Sequence, residues 1–482
     1  MPYNILITEK QNKSPNEIVY VKASELGGIL RVDSSLRPPK KPLYYLKQIL
    51  YEIFLPREFP TSVSKDYVSY QIWDTIQASC STVSNTLVTK TILEGLGVGD
   101  NTATSAGATI TWILKEGTGK LSGILFAWFS SSGLDAQCKK WRLFADVLND
   151  IAILTELTLL PLYPALSLRI LCVTTSMKAM VGVAGGATRA AITQHQAVKQ
   201  NMADVSAKDG SQETCVNLVA SLLSAVLLVT IVNTSVLWYL FLFMTSLHLY
   251  ANYKAVKSLN FNTFNRERLL LVIQEYLSRE IILPPIEINR RESVYLGFGL
   301  SDLKLCGFRI KSGHSFEKLM KNVCPFEVQL LTHMFKDRKY IIFMVSSQKT
   351  IHILLHQEHT CIDLIDAHYR AVLFAIGTSF LHNTDLELLG GRHPNEHCQI
   401  SKLKHHLISL KTNLLSGSHT SGSGEVLMIT DQFASRGVQN FVKSLSKSGW
   451  DVDRHLLEIK DWRAKWAGKV LPIESDLGRK II

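Results

Sequence analysis

Three ionisable residues recur at four-residue intervals in Trp141-Arg-Leu-Phe-Ala-Asp-Val-Leu-Asn-Asp150: Arg142, Asp146 and Asp150. Four residues is about one helical turn, so a helix would align them on one face and leave Leu143, Phe144, Val147, Leu148 and Ile151 for the other. On an exposed helix such pairs contribute only ~0.2–0.5 kcal/mol. Close to hydrocarbon, charges must pair and often mark a pathway or a binding site. A second group lies in Asn201–Thr214, where Asp204, Lys208, Asp209 and Glu213 precede a long apolar run, with Arg189 and His195 just upstream. Together these residues form a candidate polar site, read as a vestibule at a membrane surface. The same segment also reads as a solvated turn that caps the next helix.

Other chemistries can be tested by spacing. Gly117-Thr-Gly-Lys120 hints at a phosphate loop, but Leu114 stands where the first glycine belongs and Leu121 where Ser or Thr should follow Lys. Gly95-Leu-Gly-Val-Gly99 lacks the third-glycine spacing and a preceding strand, so it is no dinucleotide site. His393, His397 and Cys398 fall within six residues, yet Pro394 interrupts the helix that would align the imidazoles, and no fourth ligand stands at motif spacing. No GxSxG, HExxH or Cys–His signature is present, and Cys215 has no catalytic histidine beside it in sequence. No catalytic residue, metal ligand or cofactor is assigned.

The elements that would carry the polar site are set by hydropathy. From Glu213 to Lys254 the chain runs forty residues without Asp, Glu, Lys or Arg. A helix needs about 20 apolar residues to cross a bilayer, so the run has length for two. Val232-Asn-Thr-Ser235 breaks it, because these side chains compete for the backbone. The spacing predicts a hairpin of two short helices, 216–232 and 236–252, turning near Asn233. Lys199 and Lys208 before it and Lys254, Lys257, Arg266 and Arg268 after it place both ends on the cytoplasmic side. A buried hairpin in a large soluble helical protein is the alternative. Gly182, Gly186 and Ala190 lie four apart and predict a close helix crossing.

Composition limits the remaining choices. The 482 residues allow two or three domains. A formal net charge of +11 with scattered Lys and Arg and no basic-aromatic platform favours a lipid surface over nucleic acid. Eight cysteines without regular spacing read as free thiols in a reducing compartment. The first thirty residues hold no apolar core, so no secretory signal is expected and insertion would use internal segments of an intracellular membrane protein. Texture divides the chain into a loose arm at 1–55, a mainly α membrane-associated domain at 56–258, and a smaller cytosolic α+β domain at 260–482 with a flexible loop at 415–424. In the last of these, Glu267–Arg279, Asp363–Phe380 and Asp431–Lys447 read as helices; Lys339–Ser346, Thr350–His356, Glu425–Ile429 and Asp451–Ile459 read as strands.

Several segments together are specific. Phe59-Pro-Thr-Ser-Val63, Asp66-Tyr-Val-Ser-Tyr-Gln-Ile-Trp-Asp-Thr-Ile-Gln77, Glu94–Gly99, Gly117–Lys120, Trp141–Asp150, Gly182–Arg189 and Asn201–Thr214 resemble the Root UVB Sensitive family, strongly over about 56–260 and more weakly beyond, at Gly449-Trp450 and Trp462-Arg463. The resemblance implies self- or partner-association and a link to vitamin B6 homeostasis, with no agreed catalytic mechanism. The absence of a plastid-type N-terminal extension argues against a plastid role and points to an animal-type member. The expected function is non-catalytic, in small-molecule homeostasis at an intracellular membrane, with a homo- or hetero-oligomer, a lipid membrane and a small-molecule ligand as partners and no nucleic acid. The competing classes are a carrier, favoured by charges within helices, and an enzyme using the polar 188–214 segment.

Overall fold

The computed structural model describes residues 4–10, 17–22, 29–33, 42–95, 105–230, 234–321, 323–386, 398–415 and 422–466. The chain divides into two compact units: the first holds Met1–Gly123 and Ala145–Ser258, the second Ile124–Phe144 and Leu259–Ile482. Two of the long helices are cut by this division.

In the first unit, three strands precede the helices: β1 (Asn4–Lys10), β2 (Glu17–Lys22) and β3 (Ile29–Asp33), an antiparallel meander with Asn4 opposite Lys22 and Lys22 opposite Ile29. This corrects the expected loose arm. The short runs Ile5-Leu-Ile7 and Ile18-Val-Tyr-Val21 are rich in the β-branched and aromatic residues that favour strands. The helices are α1 (Pro42–Phe54), α2 (Tyr67–Gly95), α3 (Ser105–Leu134), α4 (Cys138–Leu162), α5 (Ser167–Gln196), α6 (Met202–Thr230) and α7 (Thr234–Ser258). Helix α2 packs along α6 and α7. A core of Val83, Leu87 and Val88 from α2, Ile153 from α4, Ala220 from α6 and Phe241 from α7 joins four of them.

The two helices of the expected hairpin are present as α6 and α7, each packed on α2; residues 231–233, where the turn is expected, lie outside the described residues. Both helices are longer than expected. The polar segment 202–214 forms the first turns of α6, not a solvated turn, because Val205, Asp209 and Gln212 recur at helical spacing on its inward side.

The second unit holds α8 (Arg266–Arg279), α9 (Pro285–Arg291), α10 (Asp302–Cys306), β4 (Arg309–Ser312), α11 (Phe316–Met320), α12 (Pro325–Met334), β5 (Tyr340–Val345), β6 (Thr350–Leu355), α13 (Cys361–Leu381), α14 (Gln399–Leu415) and α15 (Gly422–Lys447). Its sheet runs β4-β6-β5, with β4 parallel and β5 antiparallel to the central β6. Thr360 and Asp363 cap α13 reciprocally, which fixes its start. The expected strand at 425–429 is instead part of α15, since Val426, Thr430, Ala434, Phe441 and Leu445 keep helical spacing against the core. The helix begins inside the expected flexible loop, of which 416–421 lie outside the described residues. Gly377 marks the α13–α15 contact, where a Cβ would meet Thr430 and Val426 at 3.0 Å. Asp451–Ile459 is not a strand either; Asp451 accepts hydrogen bonds from the backbone N–H of Asp453 and Arg454, which turns the chain, and only His455 bridges to Phe264.

An ion-pair cluster sits inside this second unit. Lys139 Nζ lies 2.9 Å from Glu292 Oε2 and donates to Asn289 Oδ1 at 2.7 Å, and Lys140 Nζ lies 2.8 Å from Glu267 Oε2. Burial opposes ionisation of Glu292, but Arg268 and Lys139, with hydrogen bonds from Lys139 and Asn265, hold its carboxyl down at about 2. Burial also pushes the neighbouring Cys138 thiol up to about 12, so this cysteine is inert.

Candidate functional site

The two aspartates of the ladder face into the first unit. Gln77 Nε2 of α2 donates to Asp146 Oδ2 at 2.8 Å, and Asn252 Nδ2 of α7 donates to the same oxygen at 2.6 Å. His248 of α7 sits between the carboxylates: its Nδ1 is 2.8 Å from Asp150 Oδ2, and its Nε2 is 3.6 Å from Asp146 Oδ2 and 2.9 Å from Gln77 Nε2. With the Gln77 amide so oriented, imidazole Nε2 accepts and the ring proton sits on Nδ1, donated to Asp150. Burying two carboxylates costs several kcal/mol unless donors replace water, and α2 and α7 supply them here.

A second cluster follows along α2. Gln71 Nε2 donates to Asp209 Oδ1 at 3.0 Å; Arg189 Nε of α5 donates to Asp209 Oδ2 at 2.6 Å, and Arg189 also donates to Glu213. The third lies just before α2, where His195 Nε2 is 2.9 Å from Asp66 Oδ2 and Ser64 donates to the same carboxylate. Asp204 accepts from the Arg57 backbone N–H at 2.7 Å, and Lys208 Nζ donates to the Glu52 carbonyl at 2.6 Å, so both fasten the chain that leads into α2.

The expected residues are therefore divided among separate clusters instead of converging on one vestibule. Gln71 and Gln77 are six residues apart, about 9 Å along the axis. Helix α2 thus runs past a file of polar stations at Asp66, Gln71 and Gln77. Arg142 stands one turn before Asp146 on α4 and falls in the second unit. Sequence reasoning missed Asp66, Gln71, Gln77, His248 and Asn252. A usable signal was present: His248 and Asn252 stand four apart, on one face of a helix, within the long run that lacks Asp, Glu, Lys and Arg.

The small-residue stripe is corrected as well. A Cβ at Gly182 or Gly186 would meet nothing within 4 Å, and Ala190 is exposed beside them. Close approach occurs on another face of α5, where Thr175 lies against Gly119, and Ala179 and Val183 against Gly123. Gly117–Lys120 is the interior of α3 and forms no phosphate loop.

A pocket of about 450 Å³ opens among α2, α6 and α7, lined by Cys80, Val83, Val219, Leu223, Met244 and Leu247. Its walls are apolar. Among the described residues no group of three His, Cys, Asp or Glu is placed to hold a metal ion; His393 and His397 lie outside those residues. All eight cysteines are free.

Residues 41–280 match the family described as the vitamin B6 photo-protection and homoeostasis domain, and 281–466 match the root UVB sensitive protein C-terminal family. The chain belongs to the root UVB sensitive family. It is 45% identical over 262 residues to RUS family member 1 of Dictyostelium discoideum, covering 53% of this chain and 50% of that protein. It is 35% identical over 333 residues to root UVB sensitive 3 of Arabidopsis thaliana, covering 67% of this chain and 74% of that one. The match thus spans half the length of the Dictyostelium relative. No solved structure matches the fold. Membership of the family supports a role in vitamin B6 homeostasis.

Proposed function

We propose that this root UVB sensitive protein is inserted in an intracellular membrane through its helical unit and serves vitamin B6 homeostasis without catalysing a reaction, in association with a second copy or another family member. One observation carries the membrane part: α6 is inside out. Its buried residues are Val205, Asp209, Ala220 and Ser224, whereas Leu218, Leu222, Val226 and Val229 are exposed. In water such a face is unfavourable by about 25 cal/mol per Å²; in lipid it is the expected arrangement. Among the described residues two helical stretches, Pro164–Gln196 and Met202–Thr230, are long and apolar enough to cross a bilayer, and only 11% of the most apolar window of the second is buried. Helix α7 adds exposed Tyr239, Leu242 and Phe243. The non-catalytic part rests on saturation, since Arg189, Asp209 and Glu213 of the 188–214 segment are engaged in ion pairs with one another.

Alkaline carbonate extraction of cell membranes tests insertion: the full-length protein should stay in the pellet, and its release into the supernatant removes the proposal. Chemical crosslinking before extraction should trap a dimer or a mixed complex with a family member.

The buried file along α2 favours a carrier as a second reading, because polar stations inside lipid-facing helices commonly form pathways. Purified protein in liposomes should then accumulate a labelled B6 vitamer. No accumulation above protein-free liposomes ends the carrier reading and leaves the first intact.

A further inference from the structure

The sheet of the second unit carries positive charge on the face opposite α13. In the parallel pairing of β4 and β6, Lys311 lies opposite His352. The His314 and His352 rings meet edge to face with centroids 5.9 Å apart. A later segment returns to the same place: Lys460 N–H donates to the Ser312 carbonyl at 3.0 Å and Trp462 N–H to the Gly313 carbonyl at 3.1 Å. Gly313 has φ +70°, and a Cβ there would meet Lys460 O at 2.3 Å and Arg463 Nη1 at 3.0 Å. Glycine is required for this approach. It gathers Lys311, His314, His352, Lys460 and Arg463 around one turn.

The cluster lacks the counter-charges found elsewhere in the unit. Arg338 and Arg370 share Asp431, Arg266 holds Asp302, and Lys139 holds Glu292. Among the described residues no carboxylate pairs with Lys311, His314, His352 or Lys460; the acids nearest in sequence, Glu317 and Asp461, are exposed. Burial, then Lys311, pushes both imidazoles down, His352 to about 4, with Lys460 and Lys318 adding to the effect at His314. Both rings are therefore neutral near pH 7, each with an N–H to donate. Like charges gathered without an acid repel one another, and an anion placed among them would relieve the repulsion while accepting charge-assisted hydrogen bonds.

We propose that Lys311, His314, His352, Lys460 and Arg463 form a binding site for a phosphate monoester. Lysine and arginine supply charge, and the imidazoles supply directional donors to the tetrahedral group. The phosphate could belong to a soluble metabolite or to a lipid headgroup. The site does not depend on membrane insertion or on the vitamin role.

The test uses the full-length protein in detergent micelles, with thermal unfolding followed as inorganic phosphate replaces chloride at constant ionic strength. Phosphate should raise the unfolding midpoint of the natural protein. Lys311→Gln and His352→Gln should each weaken the apparent affinity by about tenfold. Lys460→Gln, at an exposed position that cannot disrupt the sheet, should weaken it in the same direction, and Lys336→Gln should leave it unchanged. A parallel titration with phosphatidylinositol 4-phosphate in mixed micelles, against phosphatidylcholine, identifies the source. A Lys311-dependent shift with lipid alone assigns a headgroup; one with inorganic phosphate as well assigns a free monoester. If neither probe raises the midpoint, or the Lys311 and Lys460 variants respond as the natural protein does, the site does not exist.

Discussion

Helices α6 and α13 are both long and apolar, and they are buried in opposite senses. Every residue of α13 from Leu364 to Ser379 is buried except Asp366, including His368 and Arg370. Its surroundings are a continuous core of leucine, isoleucine, valine and phenylalanine contributed by the sheet, α8 and α15. In the apolar stretch of α6 the inward residues, Ala220 and Ser224, are small, and Leu218, Leu222, Val226 and Val229 face out. Apolar content alone does not distinguish these cases. The identity of the inward residues does: α13 excludes water by packing hydrocarbon, whereas α6 turns hydrocarbon outward and places its hydrogen-bonding groups against α2 and α5.

The largest effect is expected at the buried ion pair of the second unit, whose core is otherwise packed hydrocarbon. Lys139→Met leaves Glu292 without its closest cation, and should cost about 3–5 kcal/mol in the unfolding free energy measured by denaturant titration. Adding Glu292→Leu should not restore the loss in full, because the buried Arg268 then loses its carboxylate as well. The same pair predicts acid lability. The Glu292 carboxyl is held at about 2 in the fold and titrates near 4.5 when exposed, so its contribution is complete above about pH 4.5 and disappears as the pH falls toward 2. Unfolding of the second unit followed at descending pH should show this slope, and Glu292→Gln should flatten it.

Next in size is the outward face of α6. Leu222→Asp puts a carboxylate where lipid is proposed, at a cost of about 2.5–3.5 kcal/mol for a residue at the bilayer centre. An exposed leucine in water would tolerate the same change within about 0.5 kcal/mol. Carbonate-resistant yield in cells separates the two: a large loss sharpens the contrast between α6 and α13, and an unchanged yield breaks it. Asp146→Asn probes the interior of the same unit. It weakens charge-assisted hydrogen bonds from Gln77 and Asn252 and should lower stability by about 1.5–3 kcal/mol in detergent, read as a fall in the thermal midpoint.

How legible each region was follows from the range of the signal. Asp146 and Asp150 were found because a four-residue interval is a local pattern, and α8, β5, β6 and α13 because period and capping are local too. The partners of those aspartates were not found. Gln77 is 69 residues from Asp146 and His248 is 98 from Asp150, and only tertiary packing brings them together. Segment 425–429 was misread since Glu-Val-Leu-Met-Ile is short and apolar, a run in which strand and helix cannot be separated by periodicity. The N-terminal meander was hidden by its brevity and by the basic, proline-rich stretch beside it.

The small-residue stripe gives the last and smallest test, and it concerns two faces of one helix. Spacing placed Gly182, Gly186 and Ala190 at a crossing, yet a Cβ at Gly186 would meet open space. The contact is made by the face carrying Thr175, Ala179 and Val183, and there Gly119 of α3 allows the approach: a Cβ at that position would lie 2.8 Å from Thr175 Cγ2 and 3.4 Å from its carbonyl oxygen. Threonine is branched at Cβ and held by the helix, so it yields little. Gly119→Leu should therefore destabilise the helical unit by about 1–3 kcal/mol through overpacking. Gly186→Leu should cost less than about 0.5 kcal/mol, because the added side chain clashes with nothing and a leucine favours helix over glycine. Thermal midpoints of the two variants in the same detergent decide between the faces. Equal losses would mean that α5 is packed on both sides, and a loss confined to Gly186→Leu would return the crossing to the stripe.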